Sequence, residues 1–282
     1  MSPQRTKEIS VGDVVIGGAR PFVLIAGPCV IEDEVATLEI LDELKVITSA
    51  LDIPLIFKAS YDKANRTSAD SYRGPGITKG LEILANARSR GSVPVLTDVH
   101  CTEDCRIVAD VVDCIQIPAF LSRQTDLLIA AGETNKPVNI KKGQFMAPSA
   151  MTSAIKKIKG TGNDNILLTE RGVSFGYNNL VVDYRSLPIM RSFGYPVVFD
   201  ATHSVQLPSA KGEVSGGDRD MVAYLARAAV AVGVDALFLE VHPDPDKALS
   251  DGPNSLALKD LGNLLKELKE LDDLTIKHGQ KG

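Results

Sequence analysis

The chain has no tryptophan, only four cysteines and no long hydrophobic run, and each shortage removes a class of protein. No apolar stretch approaches the roughly 20 residues of a membrane helix, so no membrane partner is expected. The opening residues, MSPQRTKEIS, hold no apolar signal core, which points to a cytoplasmic location. Cys29, Cys101, Cys105 and Cys114 form no disulfide-scaffold pattern and read as free thiols of a reducing compartment. A net charge of −5 argues against general nucleic-acid binding, which needs a basic face. It leaves room for a small anion held by a few well-placed cations. No G-x-S-x-G elbow, P-loop or dinucleotide fingerprint is present. Of two glycine-rich pieces, Tyr72–Gly76 reads as a turn. Ser215-Gly216-Gly217 reads as opening a helix whose amide end suits an anion.

What the chain does have is eight short apolar runs at fairly even spacing, most ending in a chemically able side chain. They are Pro21–Cys29, Pro54–Ser60, Pro94–His100, Cys114–Ala119, Pro137–Lys142, Asn165–Arg171, Pro196–His203 and Ala236–His242. Helical stretches follow them; in Glu32–Leu51, Val35, Leu38, Leu41, Leu44 and Ile47 recur at threefold spacing as one apolar stripe. Strand and helix alternation indicates a parallel α/β sheet. Eight such units in 282 residues favour a closed (β/α)8 barrel over an open doubly wound sheet. The expectation is a single barrel domain over 1–282, with residues 1–20 as an extension. Ile9–Gly17 reads there as a hairpin plugging the bottom. Two polar connections, Tyr61–Ile77 and Ser204–Gly217, are expected as long functional loops on the strand-exit side. Lys156–Lys159 and Lys266–Asp273 read as solvated helix faces.

In a barrel of this kind the active site is built at the carboxyl ends of the strands. Lys58, Lys141 and Arg171 lie at or near the ends of apolar runs, with Lys63, Arg66 and Arg123 close by. A buried cation needs a partner or a ligand. Asp98, Glu170, Asp200 and Glu240 are available as internal partners, but six converging cations are better explained by a multiply charged anionic ligand. Cys29, His203, Glu240 and Asp251 offer thiolate, imidazole and carboxylate donors for a divalent transition metal. Their separation in sequence keeps the blander reading ahead on spacing alone: a buried thiol, a hydrogen-bonding imidazole and a salt-bridge carboxylate. His100 with Cys101 and Cys105 lacks compact metal spacing and reads as a bystander.

Together these segments resemble the 3-deoxy-D-manno-octulosonate 8-phosphate synthases from about Pro21 to Leu271. The carrying motifs are IAGPC at Ile25–Cys29, FKASYDKANRTSADS at Phe57–Ser71 and TDVH at Thr97–His100. QIPAFLSRQTD at Gln116–Asp126, NIKKGQFMAP at Asn139–Pro148 and TERGVSFGYNNLVVD at Thr169–Asp183 continue the match, with DATHSVQLP at Asp200–Pro208 and EVHPDPDKALSDGPNSL at Glu240–Leu256. The resemblance implies condensation of phosphoenolpyruvate with D-arabinose 5-phosphate, for lipopolysaccharide synthesis, by a homotetramer. The related synthase that uses erythrose 4-phosphate is the alternative, and it typically carries Lys-Pro-Arg where this chain has Lys63-Ala64-Asn65-Arg66. A non-catalytic phosphosugar-binding barrel is a third reading. The resemblance also places Lys63, Lys141 and Arg171 on phosphoenolpyruvate, with Lys58 and Gln116 near. It places Asn65, Arg66 and Thr67 on the sugar phosphate, and Arg123 on that of an adjacent subunit. Catalytic roles are implied for Lys63, Asp98 and His203. Cysteine at position 29 resembles the metal-dependent branch. This reverses the weighting above toward one divalent ion (manganese, iron, zinc or cobalt) on Cys29, His203, Glu240 and Asp251.

Overall fold

The apolar runs form strands whose side chains alternate between two environments, as a strand buried on both faces requires. The computed structural model of the chain describes residues 5–66, 68, 70–211, 214–279 and 281. A hairpin of β1 (Ile9–Val11) and β2 (Val14–Ile16) turns at Gly12-Asp13 and leads to β3 (Val23–Gly27). Next come α1 (Glu34–Ala50), β4 (Leu55–Lys58), α2 (Ile77–Gly91), β5 (Val95–Asp98), α3 (Thr102–Ala109) and β6 (Cys114–Ile117). Then follow α4 (Thr125–Glu133), β7 (Val138–Lys141), α5 (Met151–Lys159) and β8 (Ile166–Glu170). A small hairpin, β9 (Val173–Ser174) and β10 (Leu180–Val181), precedes α6 (Ser186–Arg191) and β11 (Val197–Asp200). A second hairpin, β12 (Gln206–Lys211) and β13 (Val214–Gly217), precedes α7 (Val222–Val232) and β14 (Ala236–His242). The short β15 (Leu256–Ala257) and α8 (Leu258–Lys277) complete the order.

β3, β4, β5, β6, β7, β8, β11 and β14 pair in sequence, all parallel, and β14 returns to β3 through Ala236↔Val23. The sheet is therefore the closed eight-stranded (β/α)8 barrel expected from the sequence. One parity of residues (Leu24, Phe57, Val95, Ile115, Ile140, Leu168, Phe199 and Leu239) packs outward with the helices. The other (Ile25, Ile56, Leu96, Cys114, Leu167, Val198 and Phe238) fills the lumen, together with Ile9, Val11 and Ile16 of the hairpin. The hairpin thus plugs the barrel, each buried side chain contributing about 1.5–3 kcal/mol.

Continuing the lumen parity along each strand reaches Gly27 and Cys29, Lys58, Asp98, Gln116, Lys141, Arg171, Asp200 and Glu240. Period two alone aims these side chains into the carboxyl mouth. Gly27 is required there by close approach, since a Cβ would collide with the Lys58 carbonyl.

Four expectations are corrected. The buried stripe of α1 is Thr37, Ile40, Leu41, Leu44 and Thr48, while Val35 is 67% exposed. Threefold spacing drifts against a 3.6-residue turn, so the stripe's first member rotates outward. The connection after β11 is not a plain loop, because β12 and β13 pair across it. Ser215-Gly216-Gly217 consequently lies in β13, and α7 begins only at Val222. Finally, Asp272 of the supposed solvated tail is buried and accepts from the Phe22 amide at 2.9 Å. Pro188, by contrast, sits in the first turn of α6, where a missing N–H costs little.

Candidate active site

The cluster at the mouth centres on Glu240, fully buried at the end of β14. Its Oε1 accepts from Lys58 Nζ at 3.0 Å and lies 3.7 Å from Lys63 Nζ. Lys58 also donates to the Cys29 carbonyl at 2.9 Å. Burial opposes the Glu240 charge, but His203, Lys58 and Lys63 outweigh it and hold the carboxyl at about 2. Burial likewise opposes the Lys63 ammonium. The surrounding Cys29, Glu240, Asp98 and Asp251 overcome that and raise it well above its ordinary value.

Cys29, Glu240 and Asp251 bring one ligand atom each within 4.8 Å of one another. Cys29 Sγ lies 3.3 Å from Asp251 Oδ2. His203 closes the group, its Nε2 being 3.5 Å from Glu240 Oε2 and 3.6 Å from Asp251 Oδ2. Asp200 Oδ2 sits 2.7 Å from His203 Nδ1. A carboxylate there orients the ring with Nε2 toward the cluster, as in carboxylate–histidine–metal arrangements. Two features fit a divalent ion. Glu240 Oε2 is buried with no hydrogen-bond partner. Burial, then Asp251 and Glu240, push the Cys29 thiol well up, so only a cation would release its proton.

Around this centre stand the other cations. Lys141 Nζ donates to Asp200 Oδ2 at 2.6 Å and lies 3.9 Å over the Phe238 ring. Burial lowers its pKa despite Asp200 and Glu240. Arg171, 4% exposed, donates through Nη2 to Gln206 Oε1 at 2.5 Å, while Nη1 is buried without a partner. Among the described residues no carboxylate lies within ion-pair distance of Arg171. Glu170 builds the turn that aims it: Oε1 accepts from the amides of Arg171 and Gly172 at 3.0 and 2.7 Å. Lys142 balances that carboxylate at 3.3 Å on the outward parity.

Gln116 lies on the floor, its Oε1 accepting from Asn139 Nδ2 at 3.1 Å. Asp98 accepts from Ser60 Oγ at 2.5 Å and pairs with His100 Nε2 at 3.0 Å. Burial opposes both charges of that pair, yet each partner outweighs it, lowering Asp98 and raising His100. His100 thus turns to Asp98, whereas Cys101 is exposed and Cys105 points its thiol at the Cys101 carbonyl. Arg66 reaches in from the loop after β4 and donates to Ser250 Oγ at 2.8 Å. Asn65 and Arg123 are exposed and stand apart from these contacts. Thr67 lies outside the described residues.

Ser250, Ser60 and Gln206 escape a reading by residue type, because a lone serine or glutamine carries no spacing signal. His100 had a signal, two residues after Asp98 on the same strand parity.

A family model described as the DAHP synthetase I family matches residues 3–277. A curated relative from Geotalea uraniireducens, 2-dehydro-3-deoxyphosphooctonate aldolase, is 63% identical over 266 residues, 94% of this chain and 98% of the relative. Relatives of the same name from Geobacter metallireducens and Geobacter sulfurreducens are 61% and 60% identical over 267 residues, 95% of this chain and 98% of each relative. Matched over nearly its whole length, the chain belongs to the DAHP synthetase I family, among the 2-dehydro-3-deoxyphosphooctonate aldolases, also called 3-deoxy-D-manno-octulosonate 8-phosphate synthases.

Proposed function

We propose that the chain condenses phosphoenolpyruvate with D-arabinose 5-phosphate, giving 3-deoxy-D-manno-octulosonate 8-phosphate and inorganic phosphate. The observation that carries this reading is Arg171, a buried guanidinium with one nitrogen unpartnered and, among the described residues, no carboxylate within ion-pair distance. A charge left so in a folded protein is compensated by an anionic ligand. The names of the full-length relatives favour the octonate product over the erythrose 4-phosphate alternative.

In this reading Lys63, Lys141 and Arg171 hold the carboxylate and phosphate of phosphoenolpyruvate, with Lys58 and Gln116 beneath. Asn65, Arg66 and Thr67 meet the sugar phosphate. The cations keep two polyanionic substrates from repelling each other and stabilise the charge that develops between them. The enol double bond supplies the electron pair by which carbon three bonds to the aldehyde carbon, and the aldehyde oxygen takes up a proton. Lys63, held protonated by its carboxylate neighbours, is placed to give it. Water adds at carbon two beside Asp98 and passes a proton to the Lys63 amine that the first step left neutral. The bond from carbon two to the phosphate oxygen then breaks, its electron pair and the proton of the new hydroxyl leaving with phosphate, and the ketone remains. Cys29, His203, Glu240 and Asp251 would hold one divalent ion, manganese, iron, zinc or cobalt, as the metal-dependent branch does. Such an ion supplies Lewis-acid polarisation of an oxygen.

The same reading makes the chain a cytoplasmic enzyme of lipopolysaccharide synthesis; no helix among the described residues is long and apolar enough to cross a membrane. Exposed Arg123 follows Phe120, which is 54% exposed, and Phe145 on the next exit loop is 58% exposed. A homotetramer in which a neighbour covers this rim would bring Arg123 to the adjacent sugar phosphate. The deciding experiment offers arabinose 5-phosphate and erythrose 4-phosphate separately with phosphoenolpyruvate and measures phosphate release. Release with the pentose phosphate is expected, and release with the tetrose phosphate alone would reassign the chain.

A further inference from the structure

We propose that Ser250 is a positioning residue that couples Arg66 to the sulfur of Cys29. Its hydroxyl oxygen takes the Arg66 Nη1 hydrogen bond at 2.8 Å and lies 3.2 Å from Cys29 Sγ. Ser250 is 4% exposed, so solvent does not replace either contact. The loop that carries it is pinned on both sides. The Leu249 amide donates to Glu32 Oε1 at 2.8 Å, and Arg219 Nη2 donates to the Gly252 carbonyl at 2.7 Å. The adjoining Asp251 is held in a left-handed conformation at φ 50°, where the Ser255 amide and hydroxyl both donate to its carbonyl at 3.0 Å.

A guanidinium only donates, so the serine oxygen must accept from Arg66. That leaves one proton and one lone pair for the sulfur. Facing a thiol, the lone pair accepts from S–H; facing a thiolate, the O–H donates to sulfur. Donation from Arg66 polarises the hydroxyl and strengthens its bond to a thiolate, since linked hydrogen bonds reinforce one another. Hydrogen bonding at a cysteine sulfur draws charge from it and tunes what it gives to a metal. Among the described residues Arg66 is lightly held: Nη2 reaches the Leu249 carbonyl, at 3.3 Å, and Nε is buried without a partner. Among the described residues no carboxylate holds Arg66 by an ion pair. An anionic phosphate arriving at Arg66 would therefore loosen its hold on Ser250, and the sulfur would register the arrival.

The coupling rests on the metal reading, and a cobalt-loaded protein separates the two. The measurement is the near-ultraviolet thiolate-to-cobalt charge-transfer band of the full chain, in the native sequence and in a double-mutant cycle. Arg66→Ala should move the band to longer wavelength where Ser250 is present and leave it unmoved in the Ser250→Ala background. Ser250→Thr, which keeps the hydroxyl, should restore the response. An equal displacement in both backgrounds, or none in either, overturns the coupling while leaving Cys29 as a ligand. Absence of any thiolate band in the native sequence overturns the metal reading, and the coupling with it.

Discussion

At the amino end of the barrel Asp235 is buried and both of its oxygens are used. Oδ1 accepts from Thr6 Oγ1 at 3.3 Å, and Oδ2 accepts from Arg191 Nη1 and the Val197 amide, each at 2.8 Å. At the carboxyl end the same residue types are equally buried, yet Glu240 Oε2, Glu170 Oε2, Arg171 Nη1 and His100 Nδ1 have no hydrogen-bond partner. Each such atom costs about 1–3 kcal/mol if nothing arrives to meet it. Burial and charge therefore do not separate a structural ion pair from a working one. Satisfaction does: the Asp235 carboxylate is complete in the folded chain, and the carboxyl end is complete only with its ligands.

The strongest challenge to that contrast is chelation. Stripping divalent ions should abolish phosphate release, and adding cobalt or manganese should restore it. Full turnover in excess chelator would remove the ion from the carboxyl end. Next in size is Arg191→Ala. It leaves the Asp235 carboxylate buried without its cation, a loss of about 3–5 kcal/mol of stability. Urea unfolding should show it as a lower midpoint, while kcat per folded molecule stays as it was. A fall in kcat without a fall in stability would mean that the amino end is not merely structural.

How much of this contrast was legible in the sequence follows from range. The eight strands and the mouth residues were legible because period two is local: an apolar run ending in Lys58, Asp98, Lys141 or Glu240 declares both its face and its end. The β9–β10 hairpin was not, because strands of two residues establish no period. The β12–β13 hairpin was hidden by its glycines and serines, which signal turns rather than pairing. Asp235 with Arg191 was invisible for another reason: the partners lie 44 residues apart, and only barrel closure brings them together. Asp272 misled, since a charge in an acidic and basic tail reads as solvated until the Phe22 amide is found against it.

Arg171→Ala should behave as the inverse of Arg191→Ala. In the proposed reading it removes charge-assisted bonds worth about 1.5–3 kcal/mol to bound phosphoenolpyruvate, so kcat/KM for that substrate should fall about 10- to 150-fold. Stability should not fall, because among the described residues the guanidinium has no carboxylate within ion-pair distance to abandon. A destabilisation matching that of Arg191→Ala would erase the distinction between the two ends.

The smallest expected effect is a pH dependence confined to the carboxyl end. Three of the four histidines, His100, His203 and His242, stand at or just beyond strand ends there. His100 pairs with Asp98, which raises its pKa against the opposing effect of burial. A histidine raised on folding adds stability that is fully present below its unfolded value, about 6.5, and is lost as pH climbs through the folded value. The contribution is about 1.4 kcal/mol for each unit of elevation. His100→Asn should therefore lower the melting temperature most at mildly acidic pH, and the gap from the native protein should narrow as pH rises past neutrality. A gap constant from pH 5.5 to 8.5 would show that the imidazole is not charged beside Asp98.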